Sequence, residues 1–382
     1  MKALVNGKLI MASSILEDKV LIYDKKIIDI LEKHEVSGNT DMEIVDVKGS
    51  YISPGFIDLH VHGAGGRDTM EGTMEALGHI RQTVTKSGIT SILPTTMTMG
   101  KAWVHQALKV IRESRDIKEG ANVLGANLEG PFISRVYKGA HDETFIIKPD
   151  YTFIKDYVDV IKIITIAPEE DENLSFIRQM KEHKDIVLSI GHSNATFEEA
   201  VDAFHQGVSH VTHTFNAMNP LHHRKPGVVG AVFSNEVTCE LIVDKIHVHP
   251  GIFQLFADIM GKDNVILITD AMCGAYLQDG QYELGGQRVT VEKGSARLQD
   301  GTLAGSTLTM NTAVKNMVEN TKLTLYEAVN LASLNPARRL GIEKQKGRIE
   351  VGLDADITVF DENFNICRTI VQGEHVYVNM VE

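Results

Sequence analysis

Two textures of hydrophobic patterning divide the 382-residue chain. Near its start, ALVNGKLIM, KVLIYDKKIIDI and EIVDVKGSYISPG interleave β-branched and polar residues between turn formers, and Asn6-Gly7 predicts a hairpin turn. The same alternation returns only from about Lys346, in GRIEVGLDADITVFDENFNICRTIVQGEHVYVN. Residues 1–53 and 346–382 are therefore expected to form one small β domain built from both ends of the chain.

The middle, 54–345, alternates nearly continuous apolar runs with amphipathic stretches. FIDLH (56–60), ITSILPT (89–95), VLGANLEG (123–130), VIKIITIAP (160–168), IVLSIGH (186–192), HVTHTFN (210–216), CELIVDKIHV (239–248) and NVILITDA (264–271) are eight candidate strands of the kind buried on both faces. TMEALGHIRQTVTKSG (73–88), LSFIRQMKEHKD (174–185) and TFEEAVDAFHQG (196–207) read as helices closing on Gly or a polar turn. Eight such units predict an α/β fold, a (β/α)8 TIM barrel with right-handed crossovers, and a doubly wound sheet is the alternative.

With 43% hydrophobic and 23% charged residues, 32 Gly and 9 Pro, the chain has the composition of a folded protein. Thirty-eight basic against 51 acidic residues leave a net charge of −13, which argues against nucleic acid or an anionic membrane as partner. An anionic ligand would need a local basic cluster. Cys239, Cys273 and Cys367 are too few and too scattered for a disulfide framework. The N-terminus carries no apolar leader pattern, and no apolar run reaches the roughly 18–20 residues that span a bilayer, so a soluble cytoplasmic protein is expected.

The chemistry concentrates where the predicted strands end: His60 with His62, Pro94, Glu129, Pro168, His192, His213, His247 and Asp270. In a TIM barrel these positions converge at one rim, although they are spread over most of the sequence. A ring of imidazoles and carboxylates suits a divalent metal of borderline softness. With 16 histidines, chance alone supplies roughly 0.7 His-x-His pairs, so the spacing of His60 and His62 matters only through its context at the barrel entry. Glu129 after an apolar strand would be expensive to bury without an opposing cation. Asp270 can serve as ligand, proton carrier or both. In MNPLHHRKPG (218–227), His222, His223, Arg224 and Lys225 make a basic loop suited to a phosphate monoester. His249 and Cys273 read as bystanders, and Gln278–Arg297 as a hairpin-like insert that could form a lid.

The ordered series FIDLHVHG, LEGPF, GHSNAT, HTFNAM, RKPGVVG, ITDAM, GTLAGSTLTM and ASLNPAR resembles the amino-sugar-phosphate deacetylases of the amidohydrolase superfamily over essentially the whole chain. The resemblance implies a distorted TIM barrel with a β-sandwich formed by both termini. It also implies hydrolysis of N-acetyl-D-glucosamine 6-phosphate to D-glucosamine 6-phosphate and acetate, in amino-sugar catabolism and cell-wall recycling. Carried over by position, Glu129, His192 and His213 match the principal metal ligands. Asp270 matches the catalytic aspartate at the metal, and His60 with His62 matches a pair that some members use for a second ion. One or two divalent ions per subunit, Zn or Fe, would follow. Arg224 matches a phosphate contact lent by the neighbouring subunit of a homodimer, with His223 beside it and Asn216 and Ala217 also facing the phosphate. Ala140, His141, His247, Leu303, Ala304 and Gly305 match groups holding the sugar and its acetamide. Lys225 stands where many relatives have an acidic residue. The same motifs leave open an N-acetylgalactosamine 6-phosphate deacetylase and a non-catalytic sugar-phosphate sensor.

Overall fold

The computed structural model describes residues 1–36 and 42–379; residues 37–41 and 380–382 of the two terminal segments lie outside them. Lys2–Ile10, Ile15–Tyr23, Ile27–Glu32, Glu43–Asp46 and Tyr51–Pro54 share one eight-stranded sheet with Ile357–Phe360, Ile366–Val371 and Glu374–Val378. The seam between the two sets is antiparallel, with Ile357 opposite Pro54 and Phe360 opposite Tyr51. Leu4, Leu21, Ile52, Ile357, Val359 and Ile370 pack into a core of its own beneath this sheet.

Asn6-Gly7 is not a turn, contrary to the hairpin expectation. It lies inside the first strand, where the register slips and Asn6 adopts φ 58°, the geometry of a bulge. A Cβ on Gly7 would sit 2.5 Å from Ile52 Cδ1, so glycine serves close packing there. The chain reverses instead at Met11–Ser14, where the Met11 N–H donates to the Ser14 carbonyl at 2.8 Å.

The middle of the chain forms parallel strands in barrel-like order. Among the described residues the ring runs through Phe56–Val61, Ile89–Pro94, Ala126–Glu129, Ile161–Ile166, Val187–Ile190, His210–Val211, Thr238–Leu241 and Val265–Leu267. Parallel bridges from Thr95 to Asn127 and from Val61 to Ala271 join the pieces. Burial on both faces explains the nearly continuous apolar runs: every residue of Ile89–Pro94 is buried, Thr90 and Ser91 included. Helices cover the outside and start where the sequence caps them. The Thr196 hydroxyl accepts from the Glu199 N–H while the Glu199 carboxylate accepts from the Thr196 N–H, and Phe197–Gln206 runs on to Gly207. The helix expected over 174–185 is only Ser175–Met180, because the chain continues through three-residue turns into Val187.

Several strands are shorter than their sequence runs: Val265–Leu267 stops before Asp270 and Val187–Ile190 before His192, so both side chains stand just beyond their strands. His210–Val211 gives way to a turn holding His213 at φ 28° and Phe215 at φ 80°. Thr238–Leu241 ends well before His247, because Asp244 Oδ1 accepts from the Ile246 and His247 N–H groups, both at 2.8 Å, and wraps the backbone into a turn. His247 thus stands on a loop, not at a strand end. Among the described residues no helix is long and apolar enough to cross a membrane.

Candidate active site at the barrel mouth

Glu129, the last residue of its strand, is buried at the centre of a ring of imidazoles. Its Oε1 lies 2.9 Å from His213 Nε2, 3.1 Å from His192 Nε2 and 3.4 Å from His60 Nε2. Its Oε2 lies 3.1 Å from His62 Nε2 and 3.4 Å from His141 Nε2. Asp270 Oδ1 closes the other side, 3.3 Å from His62 Nε2 and 3.5 Å from His60 Nε2. Two ring-nitrogen pairs almost touch: His192 and His213 at 3.0 Å, His60 and His62 at 3.3 Å. Each pair can share at most one proton, so lone pairs are left converging on common points, the donor arrangement of a metal site. Glu129 with His192 and His213, and Glu129 with His60 and His62, are two such groups that could hold a metal ion, with Glu129 common to both.

The electrostatics have the same meaning. Burial alone would push the Glu129 carboxyl up, but the surrounding imidazoles, His60 foremost, hold it well below the ordinary range. Burial works against a charge on His62, and its hydrogen bonds to Asp270 and Glu129 overcome that and hold it up at about 9. Burial, then the neighbouring His192, brings His141 down to about 4, so that ring is neutral. Its Nδ1 accepts the Thr98 N–H at 3.1 Å, which leaves the proton on Nε2, aimed at the cavity.

The backbone is bent to bring these groups together. His192, His213 and Asp270 adopt φ of 48°, 28° and 49°, the left-handed region that non-glycine residues avoid. Hydrogen bonds pin each one. The His192 carbonyl accepts from Ser134, the Asp270 N–H donates to the His60 carbonyl, and the His213 N–H donates to the Glu240 carboxylate at 2.8, 2.9 and 3.1 Å.

A cavity of about 550 Å³ opens above this floor. His62, Glu129, His192, His213 and Asp270 line its base, and Ala140, His141, Asn216, Ala217, His247, Leu303 and Gly305 its walls. His60 lies just beneath, fully buried. Ala304 is turned away into the core, where its N–H meets the Ala296 carbonyl. His223 and Arg224 do not reach the cavity of their own chain. They sit on an exposed loop, the Arg224 guanidinium donating to His223 Nε2 at 2.7 Å. The insert is a three-stranded sheet, Gly280–Leu284, Gln287–Glu292 and Ser295–Arg297, whose Leu284 and Arg297 border the cavity.

Several participants escaped the sequence reading. Lys138 and Arg297 bring the positive charge that the cavity's own chain supplies at its rim. Asp244 Oδ2 accepts from His247 Nδ1 at 2.7 Å and fixes that ring. Glu240 and His210 lie buried below His60. The available signal for Glu240 was a carboxylate inside the apolar run CELIV.

A profile of the amidohydrolase family matches residues 51–376. The chain belongs to the amidohydrolase family. Among its relatives, the N-acetylglucosamine-6-phosphate deacetylase of Lysinibacillus sphaericus is 41% identical over 361 residues, covering 93% of this chain and 92% of that one. The crystal structure of N-acetylglucosamine-6-phosphate deacetylase from Pasteurella multocida matches with a TM-score of 0.93 at 36% identity, over 99% of this amidohydrolase and 100% of the other chain. A mutant of N-acetyl-D-glucosamine-6-phosphate deacetylase from Mycobacterium smegmatis, solved with N-acetyl-D-glucosamine-6-phosphate, matches with a TM-score of 0.91 at 29% identity over 99% of each chain. The resemblance read from the motifs is thus the resemblance of the whole fold.

Proposed function

We propose that this amidohydrolase removes the acetyl group of N-acetyl-D-glucosamine 6-phosphate, releasing D-glucosamine 6-phosphate and acetate. The observation that carries the proposal is one buried carboxylate, Glu129, shared by two imidazole pairs beside Asp270 at the base of a sugar-sized cavity. The mixed nitrogen and carboxylate donor set fits zinc or ferrous iron, held by Glu129, His192 and His213 and, as a second site, by Glu129, His60 and His62. When bound, such an ion supplies Lewis acidity that makes water nucleophilic at neutral pH and polarises an amide carbonyl.

The chain's own groups do the rest. Asp270 Oδ1, at the cavity base, accepts the proton of the attacking water and returns it to the departing amine, as an amide requires. His141 donates from Nε2 to a substrate oxygen. His247, its Nδ1 held by Asp244, turns its other edge to the acetamide and stabilises developing negative charge. Lys138 and Arg297 at the rim, with Arg224 lent by a second copy of the chain in a homodimer, hold the phosphate away from the reacting centre and so orient the acetamide. Asn216 and Ala217 complete the phosphate side. In this reading residues 54–345 are the catalytic unit, a distorted (β/α)8 barrel. Residues 1–53 with 346–382 form a β-sandwich domain.

The deciding experiment is acetate release from N-acetyl-D-glucosamine 6-phosphate, its galacto epimer and the unphosphorylated sugar, before and after chelation. Fast, chelator-sensitive release confined to the phosphorylated gluco sugar is the expected result. No release from zinc-loaded protein overturns the reading.

A further inference from the structure

The four imidazoles of the two groups differ in what stands behind them. His192 Nδ1 donates to a backbone carbonyl, that of Tyr137, at 2.9 Å. His62 Nδ1 and His213 Nδ1 are buried without a hydrogen-bond partner. His60 alone is backed by a carboxylate: its Nδ1 lies 3.1 Å from Glu240 Oε2.

Glu240 is fully buried on the strand Thr238–Leu241. The same Oε2 accepts the His213 N–H at 3.1 Å, and Oε1 faces His210 Nε2 at 3.3 Å. His210 Nδ1 in turn lies 2.7 Å from the Thr238 hydroxyl. A carboxylate only accepts, so His210 Nε2–H and His60 Nδ1–H both donate to Glu240, while the Thr238 hydroxyl beside His210 Nδ1 also lies 3.3 Å from the Ser209 carbonyl. Among the described residues no lysine or arginine is paired with Glu240, so its charge is answered by the two imidazoles and the His213 backbone N–H.

His60 is pulled two ways. On its cavity side, Glu129 and Asp270 lie 3.4 and 3.5 Å from Nε2 and would draw the proton there, where it blocks the lone pair a metal needs. On its rear side Glu240 draws the proton to Nδ1 and leaves Nε2 free. Without the rear carboxylate, the cavity carboxylates win.

We propose that Glu240 is the positioning residue of the His60/His62 half of the site: by holding the His60 proton on Nδ1 it commits Nε2 to a divalent ion and decides whether the chain holds one ion or two. The inference rests on the reading above that both groups bind metal. His210 and Thr238 extend the effect by fixing Glu240 in turn. The Glu129, His192 and His213 half touches Glu240 only through the His213 backbone N–H, at the same Oε2 that faces His60 Nδ1; a glutamine carbonyl there keeps both contacts and removes only the negative charge that draws the His60 proton.

The test strips full-length wild type, E240Q and H60N with a chelator, titrates each with Zn²⁺ against a chromophoric competitor, and counts bound zinc by elemental analysis. Imidazole ¹⁵N spectra of the stripped proteins, recorded at a pH high enough for the ring to carry a single proton, read the His60 tautomer. Wild type is expected to hold two ions and H60N one. E240Q should keep the first within about threefold and weaken the second by about 10–100-fold, the range for losing an outer partner of a metal ligand. Its His60 proton should move from Nδ1 toward Nε2, a change that a purely structural glutamate would not cause. Where E240Q does not fold, H210L, lacking the donor to Oε1, should give the same order of effects at a smaller factor, and H210Q, which keeps an N–H donor, should restore the second ion. E240Q with both ions at wild-type affinity and an unmoved tautomer overturns the role of Glu240 and leaves the two-group reading standing. Wild type and H60N with equal zinc overturn that reading and the inference with it.

Discussion

The core beneath the terminal sheet and the floor of the barrel cavity are both buried, yet they are built on opposite terms. In the first, Leu4, Leu21, Ile52, Ile357, Val359 and Ile370 pack aliphatic groups between regular strands. In the second, carboxylates and histidines replace the aliphatics and three of them sit on left-handed backbone. Aliphatic burial stabilises by removing apolar surface from water, whereas each buried ionisable group costs stability unless partners answer it. The barrel can hold such a floor because its surrounding strands are buried and rich in aliphatic residues, as in Ile161–Ile166 and Ile89–Pro94. Function is concentrated where stability is spent, and the two can be perturbed separately.

The sharpest separation should come from Asp270→Asn. Shape is kept and the proton carrier lost, so turnover should fall about 10³-fold. Zinc content and the unfolding midpoint should stay close to wild type; a variant retaining more than a tenth of the activity removes Asp270 from the proton path. Ile357→Ala should do the reverse. Deleting a fully buried side chain in the small core should cost about 2–5 kcal/mol in urea unfolding, with kcat per folded molecule unchanged. A parallel loss of kcat would show that the two regions are not independent. Arg224→Ala should raise KM for the phosphorylated sugar about tenfold at constant kcat, roughly 1.4 kcal/mol of binding, in steady-state assays. An unchanged KM would leave Lys138 and Arg297 as the phosphate's cations.

The smallest expected effect belongs to the terminal sheet and to pH. Burial first, then the charges of Lys2 and Arg368, hold His375 below its ordinary value, and its Nε2 meets the Tyr23 hydroxyl at 3.0 Å. The folded protein therefore binds that proton less readily than the unfolded chain. The stability it contributes is present above about pH 6.5 and is lost as pH falls through the lower folded value. Thermal melts of wild type and H375Q should converge as pH falls below 6.5. A gap that is constant with pH sinks this account.

Much of this contrast could be read along the chain. The barrel strands were visible as apolar runs because burial on both faces leaves no alternation to confuse them. His60, Glu129, His192, His213 and Asp270 stood out because a titratable group following such a run needs a reason. Strand ends were not visible where a side chain rather than a proline or glycine stops the strand: nothing in CELIVDKIHV announces that Asp244 folds back on its own backbone. Asn6-Gly7 misled because the left-handed residue that makes a hairpin turn also makes a bulge. Glu240 and His210 were hidden because their pairing depends on register between neighbouring strands, with His210 beside Thr238. Arg224 was conspicuous as a cation, but it does not line its own cavity, a placement no local pattern encodes.

The antiparallel seam of the terminal sheet also sets an order of assembly. Tyr51–Pro54 runs directly into the first barrel strand, yet its partner Ile357–Phe360 leaves the ribosome roughly 300 residues later, so this pairing carries a large loop-closure delay. Through most of synthesis the nascent chain carries an unpaired strand edge beside its growing barrel, open to intermolecular pairing. A truncation just before Ile357 would make that transient edge permanent, and its yield of soluble protein would report how heavily biogenesis relies on the last strands to arrive.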